Sequence, residues 1–182
     1  MLDRDLVRRI VDGFPFGDSW QQRVSSSFRH PSRSGFRQWH HIKDLREVGG
    51  LYAFLLPARY FAEPRVIHLH AAGGKRIEFQ FTAPPICEEG LAVLYVGRTS
   101  NLRNRFEMHH TIGDRLSSAQ VKYGLIDCGV CADQRQAINF IHDHARIVWH
   151  PLPGPENAAN RDLAELSLCA KWAPPFNVKA ER

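Results

Sequence analysis

Apolar and polar positions along the chain change period several times, and each change marks an element. Leu2, Leu6, Val7 and Ile10 recur at helical spacing and stop at Gly13 and Pro15, which predicts a short N-terminal helix. From Gly49-Gly50 the pattern becomes an unbroken apolar run over 51–56, closed by Pro57, of the length and aromatic content of a buried strand. Stretches 66–70 and 75–81, the second alternating Ile77, Phe79 and Phe81, predict a hairpin around Ala71-Ala72-Gly73-Gly74, stopped by Pro84-Pro85. A second buried strand follows at 91–96, a helix at 101–110, a further strand at 121–128 and a helix at 134–149. After a loop at 151–155, a last helix at 161–172 ends before Pro174-Pro175. Strands and helices mix without regular alternation, so the pattern predicts an α+β fold rather than a doubly wound sheet.

The chain has 182 residues, enough for one domain with a core that needs no disulfide staples. A charge of +5 favours a polyanionic partner, and its placement is uneven. Between residues 19 and 43 stand Arg23, Arg29, Arg33, Arg37 and Lys43 with no acid, interleaved with Trp20, Phe28, Phe36 and Trp39. Bases and phosphates would find partners there; equally, the segment can pack its aromatics on the domain and solvate its arginines. Residues 1–48 accordingly read as a basic, aromatic extension and a candidate DNA-contacting arm, and 49–182 as the main domain with an insertion at 57–90. No run reaches the length of a membrane span, and the first residues mix acids with arginines, unlike a signal peptide. Cys87, Cys128, Cys131 and Cys169 are few and irregularly spaced, which points to a reducing compartment: the cytoplasm, with nucleoid association in a bacterium. Cys128-Gly129-Val130-Cys131, with His142 and His144 downstream, admits either a structural zinc site or two buried thiols.

The chemistry gathers on two helices. Leu102, Arg105, Phe106 and His109 share one face of the first, so the arginine and histidine are aimed inward; Arg103 and His110 point elsewhere and are expected to be solvated, with Arg103 in reach of Glu107. Arg105 offers a planar fork of donors that suits phosphate oxygens, and His109 can move a proton. On the last helix Glu165 shares a stripe with Leu168, Cys169 and Trp172. A carboxylate there needs a cation or a hydrogen-bonding partner, unless it closes a capping box with Asp162 as N-cap.

Gly50-Leu51-Tyr52, Tyr95-Val96-Gly97, Asn101-Leu102-x-x-Arg105-x-x-x-His109, Glu165 and Pro174-Pro175-Phe176-Asn177 stand in an order and register that resemble the GIY-YIG nuclease superfamily, over about residues 49 to 178. The run from Glu165 to Asn177 looks like the closing helix of that family's excision-repair incision nucleases. The resemblance implies an α+β domain with a small central antiparallel sheet carrying both tyrosines, flanked by helices, with the hairpin inserted between the tyrosine strands. It also implies hydrolysis of a DNA phosphodiester with one divalent ion, Mg²⁺ or Mn²⁺, and no small-molecule cofactor. By that resemblance Glu165 would hold the metal, Tyr52 and Tyr95 would bind or deprotonate the attacking water with Tyr52 the better base, Arg105 would stabilise phosphate charge, His109 would assist proton transfer or bind the phosphate and Asn177 would orient the site. Arg98, Arg103 and the arm residues Arg23, Arg29, Arg33 and Arg37 would contact DNA. Within the endonuclease reading a restriction-type and a structure-specific repair-type role both stay open, and beside it stand two alternatives: a non-catalytic nucleic-acid-binding module on the same scaffold, and an RNase.

The chain departs from the family pattern in four places. Leu51 replaces an isoleucine, and about forty residues separate the tyrosines where many members have a hairpin of roughly ten. The segment 131–160 is also longer than in the compact repair domains. Arg98 stands where repair members often carry a lysine, and a guanidinium does not serve as a base.

Overall fold

The apolar run at 51–56 lies in the middle of the main sheet. The structure, a computed structural model, describes residues 2–24, 45, 47–61, 63, 65–70, 76–81, 84–87, 90–110, 112 and 120–177. In chain order its elements are α1 (Arg4–Asp12), β1 (Gln21–Val24), β2 (Gly50–Pro57), a 3₁₀ turn (Ala58–Phe61), β3 (Arg65–His70), β4 (Arg76–Phe81), β5 (Ile86–Cys87) and β6 (Leu91–Thr99). There follow α2 (Leu102–His109), α3 (Gln120–Asp127), α4 (Gln134–His144), β7 (Arg146–Pro151), a second 3₁₀ turn (Pro155–Asn157) and α5 (Ala158–Trp172). The main sheet is antiparallel with five strands in the order β1-β7-β2-β6-β5. β3 and β4 pair antiparallel as a separate two-stranded sheet, Arg65 opposite Phe81 and His70 opposite Arg76, with β3 lying against α3. The residues that join them, 71–75, lie outside the described residues.

Helices cover both faces of the main sheet, which is why β2 reads as continuously apolar rather than alternating. One face carries Tyr52, Phe54, Leu56, Ala92, Leu94 and Tyr95, packed against Leu102 and Phe106 of α2, Val121 and Leu125 of α3, and Ala137 and Ile141 of α4. The other carries Leu51, Ala53, Leu55, Val93 and Val96, packed against Val7, Ile10 and Val11 of α1 and Ala164 and Leu168 of α5. Leu94 and Tyr95 are adjacent yet face the same way. The register between β2 and β6 shifts at Phe54/Leu55, so that Phe54 pairs with Tyr95 and Leu55 with Val93, leaving Leu94 as an extra, bulged residue. A bulge reverses the alternation of side chains beyond it. It turns Tyr95 onto the face that carries Tyr52.

Several sequence expectations change. Residues 121–128 form the helix α3, not a strand. Five successive residues from Val121 to Leu125 are buried, enclosed by core and neighbours, and a short apolar run does not by itself distinguish the two states. The helix expected over 134–149 stops at His144, where Ala145 takes an extended conformation, and Arg146–Pro151 becomes β7 between β1 and β2. Ile147, Val148 and Trp149 are buried there, the signature of a central strand. The capping box at Asp162 and Glu165 does not form: α5 begins at Ala158, led in by the Pro155–Asn157 turn, so both acids lie inside the helix. Within the segment read as an extension, residues 2–24 belong to the body. α1 packs on α5, β1 pairs with β7, and Trp20 is buried with its indole N–H donating to the Ile10 carbonyl.

Candidate active site

β2 and β6 set the two tyrosines. Tyr52 is the cross-strand partner of Gly97, and Tyr95 sits two residues before it on the same face. The phenol rings are 5.8 Å apart at an interplanar angle of 46°. Gly97 is what lets them meet: a Cβ there would come within 2.8 Å of both Cζ and the hydroxyl of Tyr52 and of Cε1 of Tyr95. Tyr52 has no exposed surface, whereas Tyr95 is 7% exposed, so Tyr95 forms the outer and Tyr52 the inner wall.

α2 adds the histidine and arginine. Its N-cap, Asn101, accepts from the Asn104 amide at 3.0 Å, and the Leu102 amide donates to the Val48 carbonyl at 2.9 Å, which ties the helix start to the chain entering β2. Leu102, Phe106 and His109 then face the sheet. The His109 ring lies 4.5 Å from Phe54, 5.8 Å from Tyr95 and 6.0 Å from Tyr52. Neither of its ring nitrogens has a hydrogen-bond partner among the described residues, and the same holds for the Tyr52 hydroxyl. Such buried, unpaired polar atoms are uncommon in a native interior and mark where a further group would bind. Arg105 is half-buried, and its charge acts on Tyr52, Tyr95 and His109 together. His110, expected to be solvated, is instead buried and its Nδ1 bonds to the Phe106 carbonyl at 2.8 Å.

Burial dominates the electrostatics. It raises both phenols above their usual range; Arg105 pulls them down but does not win. The Tyr52 and Tyr95 hydroxyls act on each other in opposite senses, raising Tyr52 and lowering Tyr95, although their placement falls short of hydrogen-bond geometry. Tyr95, partly exposed and favoured in that exchange, is therefore closer to ionising than Tyr52, which reverses the ranking expected from the sequence. His109 is held well below its usual value by burial and by the charges of His110, Arg105 and Lys122. At neutral pH it is an uncharged imidazole, able to accept a proton.

The carboxylate arrives from the opposite face. α5 packs with the other core, and Glu165 stands at the rim of β6 with 23% of its side chain exposed. Its charge raises both Tyr52 and Tyr95, so it shares their electrostatic neighbourhood. Desolvation raises Glu165, opposed by Arg98. Arg98 is not a free DNA contact here: its Nε lies 2.9 Å from Glu165 Oε2 and its Nη1 3.0 Å from Asp162 Oδ1. Glu165 and Asp162, one helical turn apart, supply hard oxygen donors at a half-buried rim beside unpaired phenolic oxygen. Mg²⁺ and Mn²⁺ are commonly held by one or two carboxylates plus substrate oxygens and water, so this donor set fits such an ion. Among the described residues no group of three or more His, Cys, Asp or Glu gathers to hold a metal ion, at this rim or elsewhere.

Asn177 acts through the backbone. Its Oδ1 accepts from the Val96 amide at 2.8 Å and its Nδ2 donates to the Val96 carbonyl. Next to it the Phe176 amide donates to the Leu94 carbonyl at 3.0 Å, so this segment closes the edge of β6 where β5 ends. Phe176 itself is buried on Gly124 of α3, where a Cβ would collide with its ring. Arg103 pairs with Glu107 at 2.9 Å, as its spacing suggests. Arg23 is exposed on β1, at the far edge of the sheet from β6; Arg29, Arg33 and Arg37 lie outside the described residues. Cys128 and Cys131 are buried thiols, with His142 bonded to Asp143 at 2.8 Å and His144 3.4 Å from the Tyr60 hydroxyl.

One site neighbour escaped sequence reasoning. Lys122 on α3 has no exposed surface and its charge acts on both His109 and His110. Reading 121–128 as a strand hid it, since its position beside α2 follows only from the helix. No helix among the described residues is long and apolar enough to cross a membrane. A scan against protein-family models, a search of curated proteins and a search of solved structures found no match to the chain.

Proposed function

We propose that this protein is a divalent-metal-dependent endonuclease of the GIY-YIG kind that hydrolyses DNA phosphodiester bonds. The observation that carries the reading is the gathering of Tyr52, Tyr95, Arg105, His109 and Glu165, drawn from β2, β6, α2 and α5, into one electrostatic neighbourhood at the rim of β6. A packing core has no use for a half-buried guanidinium, a neutral imidazole with both nitrogens unpaired among the described residues and a half-buried carboxylate around two phenols. A phosphodiester has a use for each.

A bound phosphate would meet Arg105 and Glu165, which are half-buried, and the 7% of Tyr95 that is exposed. Arg105 meets its charge with a guanidinium that is cationic at any working pH, and holds more tightly as charge grows toward the pentavalent transition state. Tyr95 orients the attacking water through its hydroxyl. The attack breaks the P–O bond opposite the water, with the water's proton passing to solvent and the leaving oxygen taking one up from solvent; His109, neutral and behind the tyrosines, offers an acceptor nitrogen to the phenols. Asn177 keeps the Tyr95 strand in place. Glu165, with Asp162, would hold Mg²⁺ or Mn²⁺, which when bound polarises the phosphate and lowers the pKa of nearby hydroxyls.

The test is cleavage of plasmid DNA and of matched DNA and RNA oligonucleotides with Mg²⁺ or Mn²⁺, with and without chelator. Wild-type protein should nick DNA only when metal is present, and Glu165→Ala should lose cleavage while retaining DNA affinity within a few-fold. Undiminished cleavage by that variant would remove the metal assignment, and a strict need for the 2′-hydroxyl would convert the reading to an RNase.

A further inference from the structure

Arg98 is the nearest cation to the carboxylate that would hold the metal, and it engages both candidate ligands at once. One guanidinium spans Glu165 at 2.9 Å and Asp162 at 3.0 Å, reaching from β6 across to successive turns of α5. The side chains of Arg98 and Asp162 are about half exposed and that of Glu165 less so, so this is a partly screened contact that side-chain rotation can open. The same carboxylate oxygen cannot serve the guanidinium and a small divalent ion with full strength, because both seek its lone pairs and both are positive. Arginine also has a second class of partner at hand, since its fork fits a phosphate as well as it fits a carboxylate.

We propose that Arg98 occupies the cation subsite of this protein as a stand-in, holding Glu165 and Asp162 until a divalent ion displaces it. This rests on the nuclease reading for the identity of the ion, but concerns binding rather than cleavage. The competing view is that Arg98 is an orienting residue that prepares Glu165 for the metal. The two views predict opposite changes when the guanidinium is removed.

The experiment is a Mn²⁺ titration of DNA-free protein, read from the loss of the free-ion electron paramagnetic resonance signal, for wild type, Arg98→Met, Arg98→Lys, Glu165→Gln and the double variant Arg98→Met/Glu165→Gln. Removing a unit positive charge from beside a doubly charged ion should tighten Mn²⁺ binding about tenfold in Arg98→Met. Arg98→Lys, which keeps the charge but loses the fork, should fall between. The gain should vanish in the double variant. If Glu165→Gln loses Mn²⁺ but Arg98→Met binds no more tightly than wild type, the stand-in role is overturned and the metal assignment stands. If Mn²⁺ binding is absent or indifferent to Glu165 in both backgrounds, the stand-in role and the metal assignment fall together.

Discussion

Tyr52 and Gly97 face each other directly across β2 and β6, and the phenol fills the space that a side chain at 97 would take. Because the Tyr52 ring is wedged among Phe54, Phe106 and His109, it has no free direction in which to retreat. Gly97→Ala should therefore lower stability by about 1–3 kcal/mol, the usual range for overpacking. It should also remove cleavage, since both tyrosines shift together. Thermal melts and plasmid nicking check this; a variant with wild-type melting and activity would show that the rings are loosely held.

Tyr52→Phe should separate stability from activity. The Tyr52 hydroxyl is buried and makes no hydrogen bond among the described residues, so removing it relieves a desolvated polar group. Stability should hold or rise by about 1 kcal/mol, while cleavage falls if that hydroxyl is needed when substrate arrives. Tyr95→Phe should reduce cleavage more, because Tyr95 is the ring with access to solvent. Urea unfolding and initial nicking rates of the two variants provide the comparison.

Acid should destabilise the fold in a defined window. Burial lowers His110 from 6.5 to about 4, and it lowers His109 and His150 as well. As pH falls below about 6.5 the unfolded chain takes up protons on these rings that the folded chain refuses. Stability is therefore complete above that pH and is lost on the way down to about 4, where His110 titrates in the folded state. For His110 alone the full loss is about 3 kcal/mol. Glu165, with its carboxyl raised, works in the opposite direction, but it is one group against three. Urea midpoints between pH 7 and pH 4 (about the window given by His110) should fall, with a shallower slope in His110→Asn.

Asn177→Ala should loosen β6 at its edge. The amide side chain satisfies both the N–H and the carbonyl of Val96, a buried residue between Tyr95 and Gly97. Without it those two backbone groups lose their partners, at about 1–3 kcal/mol. Hydrogen exchange at the Val96 amide should quicken and cleavage should drop. Unchanged protection of that amide would mean another group closes the edge.

Much of the site is legible in the chain because helical spacing alone places Leu102, Arg105, Phe106 and His109 on one side, and three of those four are buried as that spacing requires. The strands at 51–56 and 91–96 are legible for a similar reason: apolar runs of that length bounded by Gly and Pro have few other uses. What is hidden depends on partners distant in sequence. The strand β7 looks like a continuation of α4 until β1 and β2 are placed on either side of it. The helix α3 looks like a strand until Phe176, about fifty residues later, is found lying on Gly124. The pairing of Arg98 with Glu165 needs the rim of β6 and a turn of α5 to meet, which no local pattern encodes.

Leu94 gives the molecule an unusual point of failure. Were the strand to pair regularly with every residue kept, its apolar character would be intact, but Leu94 would stand opposite Phe54 and the phenol at 95 would emerge among the α5 side chains. A slip of one residue there would thus leave a folded shell with its chemistry facing the wrong way, a deeper lesion than any exchange of one side chain for another. Loss of the Leu94 codon, by contrast, would take out the bulge together with its residue and leave Val93 and Tyr95 opposite Leu55 and Phe54.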